Sequence, residues 1–242
     1  MNLSILILGF LVGLKHALEA DHLAAVASMA AGRPTPGGIL RLGMAWGLGH
    51  AITLFALGSL VLLLDVSLSA GVAHALEFVV GVMLVLLGAD VFRRLRRERI
   101  HIHVHTHDAA RPHLHAHSHR HQGSAGKPGH GPHNHKHPRG FPLRALLVGC
   151  MHGTAGSAAL LLLVVGTMDS AWTALLYMAL FGVGSIVGMA LLSVVIAMPL
   201  WFTRRLDDAL LTRLHRLMGT AVGGITICLG LVVMAETSGL LG

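Results

Sequence analysis

Eight consecutive positions, Lys15 to His22, hold two imidazoles (His16, His22), two carboxylates (Glu19, Asp21) and an ammonium (Lys15) inside an otherwise apolar run, LVGLKHALEADHLAAV. Two further imidazoles, His50 and His152, lie in later apolar stretches. Ionisable groups are costly in hydrocarbon, and where they occur they mark ion pathways and relays. Neutral imidazole is a good ligand for nickel, copper, zinc and iron, and neighbouring carboxylates offset the charge of a cation. These residue types therefore predict a divalent transition-metal site built from His16, His22, His50 and His152 with Glu19 and Asp21. An interhelical hydrogen-bonded cluster without an ion is the plainer alternative; imidazoles on three separate stretches favour the ion. On a straight helix of about 100° per residue, His16, Glu19 and His22 share an arc of roughly 120°, whereas Asp21 lies roughly 140° from His16. Either the helix is distorted here, or Asp21 orients an imidazole from behind. Lys15, four positions before Glu19, can pair with it.

The elements that must carry these residues are membrane helices. The chain of 242 residues is 54% hydrophobic and 12% charged, with mean hydropathy +0.70. Too few polar groups exist to cover a water-facing surface, so lipid is a partner of the fold. Six stretches have the ~20 apolar residues that a spanning helix needs: about 3–29, 39–64, 72–92, 142–166, 171–200 and 214–235. The runs are continuous rather than alternating, which predicts an all-α polytopic membrane protein and not a barrel. The first stretch lacks a basic leader and reads as a span, not a cleaved signal. Asp90 and Glu77 fall near span ends, and Cys150 and Cys228 read as small buried hydrophobes.

Every Lys and Arg of the 18 except Lys15 falls in the connections after the first, third and fifth spans. By the positive-inside rule that side is cytoplasmic and both termini lie outside, as expected of a multi-pass protein of a bacterial inner membrane. The same segregation accounts for the net charge of +7 without nucleic acid. Residues 93–141 form a polar connection with 13 of the 19 histidines, many of them alternating. His101, His103, His105 and His107 make one alternating run, and His113, His115, His117, His119 and His121 another. Pro and Gly predict disorder here, and exposed imidazoles predict weak, exchangeable metal sites.

The two halves resemble each other. LVGLKHA at 11–17 aligns with LVGCMHG at 147–153, Gly47-Gly49-His50 with Gly182-Gly184-Ser185, and Gly81 and Gly88 with Gly223 and Gly230. Three spans per half is an odd number, so the second half must be inverted relative to the first, an architecture common among transporters. The expected organisation is a three-helix repeat over 1–92, the His-rich cytoplasmic loop over 93–141, and a second three-helix repeat over 142–242. The small residues after His152 permit either close helix contact or a path lined by Thr154 and Ser157.

KHALEADHLAAV at 15–26 resembles the signature of the nickel/cobalt transporter (NiCoT) family, with Glu19 where Asp is more usual. GLGH at 47–50 resembles that family's Gly-His motif in the following span, and HGTAGSAA at 152–159 looks like its shorter, six-span UreH-like nickel permeases. The later acidic motif of the eight-span members is absent, so the resemblance carries ligand roles onto His16, Asp21, His22 and His50 alone. It implies a secondary permease with Ni2+ or Co2+ as transported substrate and no permanent cofactor. Uptake is the expected direction. The His-rich loop also resembles nickel/cobalt exporters of the RcnA type, so efflux for metal tolerance is the first alternative; a non-transporting membrane metal sensor or chaperone is the second. A cytosolic metallochaperone is a conceivable further partner, and the sequence leaves the oligomeric state open. No Walker motif, HExxH or repeated His box is present, so no enzyme is expected.

Overall fold

A computed structural model of the chain describes residues 3–31, 35–64, 69–97, 100–105, 113–118, 142–154, 168, 170–202 and 208–239. Among the described residues, seven α-helices and two short strands follow in order: α1 Leu3–His16, α2 Ala20–Ala30, α3 Pro36–Leu64, α4 Ala70–Arg97, β1 Ile100–His105, β2 His113–Ser118, α5 Leu143–His152, α6 Ala171–Phe202 and α7 Asp208–Thr237. Four helices (α3, α4, α6 and α7) are long and apolar enough to cross a membrane, and α1 with α2 forms a fifth candidate bent by 55°. α5 is a shorter apolar helix. The protein is thus a multi-pass helical membrane protein. Exposed Leu63, Leu86, Val195 and Ile225 would be a liability in water and are at home against lipid. Residues 155–166 of the expected fourth span lie outside the described residues.

The first span is not one continuous helix: of the two readings of the helical-wheel conflict, the distorted helix is the one observed. α1 ends at His16, and a tight turn with Leu18 N–H to Lys15 C=O (2.9 Å) and Glu19 N–H to His16 C=O (3.0 Å) interrupts it. Glu19 has extended backbone (φ −64, ψ 150), and α2 restarts with Leu23 N–H donating to the Glu19 carbonyl at 3.0 Å. Backbone groups at membrane depth need partners. The buried Ser185 hydroxyl of α6 supplies one by donating to the Gly13 carbonyl at 3.2 Å.

Glycines set how closely the helices approach. A Cβ on Gly81 would lie 2.8 Å from the Gly230 carbonyl oxygen, and one on Gly88 2.6 Å from that of Gly223, so α4 and α7 touch backbone to backbone at two levels. Gly13 abuts the Phe181 backbone and Gly184 the Phe10 and Leu14 backbone, joining α1 to α6. Gly49 abuts the Leu146 and Cys150 backbone and Gly149 the Trp46 and His50 backbone, joining α3 to α5. Small residues at such crossings replace the hydrophobic drive that lipid removes.

Two expectations are corrected outside the site. The His-rich segment is not wholly irregular: β1 and β2 pair antiparallel, with His101 opposite His117, His103 opposite His115 and His105 opposite His113. Alternation of His with Ile, Val, Leu and Ala has the period of a strand, and that overrides the loop composition. His107, His119 and His121 lie outside the described residues. Cys150 is half-buried and Cys228 is exposed, so Cys228 is not the buried hydrophobe the sequence suggests. Asp90 is the hub of an ion cluster, accepting from Arg94 of its own helix and from Arg144 Nη2 of α5 (2.9 Å).

Candidate metal centre

Four buried histidines meet where the first span breaks. His16, the last residue of α1, and His22, in the first turn of α2, come from the two sides of the break. His50 comes from the middle of α3 and His152 from the end of α5. All four are at most 4% exposed, so water competes for none of them in this conformation. His16, His22, His50 and His152, which the sequence singles out, are therefore brought together.

The break resolves the helical-wheel conflict. With the chain turned between His16 and Ala20, Asp21 faces the cluster and holds two imidazoles: His22 Nδ1 donates to Oδ1 at 2.8 Å and His152 Nε2 to Oδ2 at 3.2 Å. The His22 backbone N–H also donates to Oδ1 at 2.8 Å, a carboxylate at a helix start that the dipole favours. Glu19 Oε1 accepts from His16 Nδ1 at 2.9 Å. Glu19 therefore takes His16 as its partner rather than Lys15, which is exposed.

These contacts assign ring nitrogens. An ionised carboxylate only accepts, so Nδ1 of His16 and of His22 carries the proton and each Nε2 keeps its lone pair. A carboxylate behind an imidazole in this way fixes the ring and raises its basicity as a metal ligand. His16 Nε2 and His50 Nε2 are 3.2 Å apart. Ligand nitrogens about 2.0–2.1 Å from one metal ion stand about 3 Å from each other, so the pair is spaced to share an ion. His22 Nε2, His50 Nδ1 and His152 Nδ1 are buried with no hydrogen-bond partner, an expensive state for polar atoms that have no further role. Two overlapping sets have ligand atoms within 4.8 Å of one another: His16 with His22 and His50, and Asp21 with His22 and His152. All donors are nitrogen or oxygen, a set suited to nickel, cobalt or zinc and not to copper(I). Glu19 and Asp21 together match the two positive charges of a divalent ion.

Sequence reasoning missed two walls of the site. Trp46, fully buried, packs its ring 5.2 Å from His22 and 5.2 Å from His152. Phe181 lies 5.4 Å from His16. The available signal was Trp46 standing one helical turn before His50, and so on the same face. Gly153, packed against the His50 backbone, belongs to a close helix contact; Ser157 lies outside the described residues.

No protein-family model matches the chain, and no solved structure matches it. The chain is 33% identical over 217 residues to the urease accessory protein UreH of Bacillus sp. (strain TB-90), covering 84% of this chain and 80% of that protein. The likeness spans most of both chains. This protein belongs to the family of UreH, the UreH-like branch of the nickel/cobalt transporter family.

Proposed function

We propose that the protein is a secondary permease that brings Ni2+ or Co2+ into the cell through the histidine centre. The observation that carries this reading is the convergence of buried imidazoles, with lone pairs directed inward and carboxylates behind them, at a break in a membrane helix. A hydrated divalent ion cannot enter hydrocarbon; ligands that replace its water at mid-span lower that barrier. The Asp21 and Glu19 carboxylates neutralise the ion, and the break supplies exposed backbone only where a path needs it.

The machine is two inverted three-helix halves. Helix packing supports this through swapped contacts. Gly13 aligns with Gly149 and Phe181 with Trp46; Gly13 packs on Phe181, and Gly149 packs on Trp46. Gly49 aligns with Gly184, and Leu146 and Cys150 align with Phe10 and Leu14; again each glycine packs on the other half's residues. Gly81 meets Gly230 while Gly88 meets Gly223, the pattern of a pair crossing on a two-fold axis. Exchanged partners of this kind favour a repeat over chance similarity of glycine-rich helices. The basic connections face the cytoplasm, both termini face outward, and the His-rich loop, with weak sites at its alternating histidines, buffers the arriving ion or hands it to a cytosolic chaperone.

Direction is tested in cells. Deleting the gene lowers cell nickel if the protein imports. Efflux, which the cytoplasmic His-rich loop would equally serve, predicts higher cell nickel and nickel sensitivity on deletion.

A further inference from the structure

The ligand residues of the centre fall into two groups, in each of which the ligand atoms lie within 4.8 Å of one another. The His22 ring stands between those of His16 and His152, with centroid separations of 4.3 Å and 4.4 Å. His16 and His152 are equivalent by the internal repeat, 136 positions apart, whereas the position equivalent to His22 is Ala158. One unpaired imidazole is thus flanked by two matched ones. The two ligand sets overlap only at His22: one is His16, His22 and His50, the other Asp21, His22 and His152. Its two nitrogens also divide. Nε2 has no partner, while Nδ1 is 2.8 Å from Asp21 Oδ1.

From this we infer that the membrane centre has two ion positions that share His22, and that a single ion steps between them. The first position is His16, His22 and His50; the second is Asp21, His22 and His152. Neutral imidazole has one lone pair, so His22 serves one position at a time, through Nε2 at the first and through Nδ1 at the second. Both positions cannot fill together: as the ion passes, its bond to Nε2 breaks, one to Nδ1 forms, and the ring proton moves from Nδ1 to Nε2. A three-nitrogen position also differs from one containing a carboxylate, so neither holds the ion so firmly that it cannot leave. This inference rests on the transport reading for its direction of travel but not for the existence of the two positions.

The test is nickel binding to the purified full chain in detergent, with each variant read as a difference from wild type so that the loop histidines cancel, alongside flux in proteoliposomes. Wild type should bind one ion more than His22→Ala. His16→Ala and His152→Ala should each keep that ion at least about tenfold more weakly, the lower range for a perturbed metal site, and both should lose flux. Should His22→Ala fail to fold, the His16→Ala/His152→Ala double variant removes a ligand from both positions and should lose the ion. A wild-type excess of two ions overturns the inference, since the positions then fill together. So does complete loss of the ion in either single variant, or a His152→Ala protein that binds and transports normally. The expected binding pattern in a wild type without flux would keep the two positions and defeat the transport reading instead.

Discussion

His22 touches the rings of His16, His50, His152 and Trp46 and also bonds the Asp21 carboxylate. Asp21 holds two of those imidazoles in place, so Asp21→Asn should weaken nickel binding by about 10–100-fold, the range for losing a carboxylate behind a metal-binding histidine. Isothermal titration on the purified protein measures this; unchanged affinity would mean that Asp21 neither binds nor orients. Nickel at about 100 times its dissociation constant should stabilise the wild-type fold by about 2.7 kcal/mol, seen as a raised thermal midpoint that His22→Ala loses. At this scale most of the centre was legible in the sequence, because charged and imidazole side chains in an apolar run stand out by their cost alone. Trp46 and Phe181 were not, because an aromatic residue in a membrane helix is ordinary until its neighbours are known. The partner of Glu19 was misread for a related reason. Helical spacing joins Lys15 to Glu19, but the break at residues 17–19 turns Glu19 onto His16.

At the scale of elements, hydropathy placed the long helices within a few residues of where they occur. It did not place the break after His16, since no proline or glycine marks it and the flanking residues are good helix formers. The small residues at the crossings carry a sharper prediction. Gly88→Val would press a side chain into the Gly223 carbonyl, 2.6 Å from the first added carbon. Overpacking of this kind costs about 1–3 kcal/mol, so the thermal midpoint of the detergent-solubilised protein should fall. Gly224, one residue from the contact, has nothing within 4 Å of an added Cβ, and Gly224→Ala should not lower the midpoint and should raise it slightly. Equal effects of the two would show that α4 and α7 do not meet as described. The β1–β2 ladder, by contrast, was readable as a period-two alternation; the Pro and Gly around it drew the reading toward disorder.

For the whole molecule, the swapped glycine contacts and the one-sided distribution of Lys and Arg are what the proposal of two inverted halves with a cytoplasmic loop rests on. Deleting residues 101–137 should leave most nickel flux intact, because the ligands at the break lie outside that segment; loss of all flux would make the loop the working part and favour a sensor or chaperone. Whether the ion crosses at the break in the first span is read from nickel-63 flux into proteoliposomes holding the wild-type chain or His22→Ala. Gradient-driven flux is expected in the wild type and background flux in the variant. Equal flux in the two would contradict this, because the ion would then be crossing somewhere other than the histidine centre.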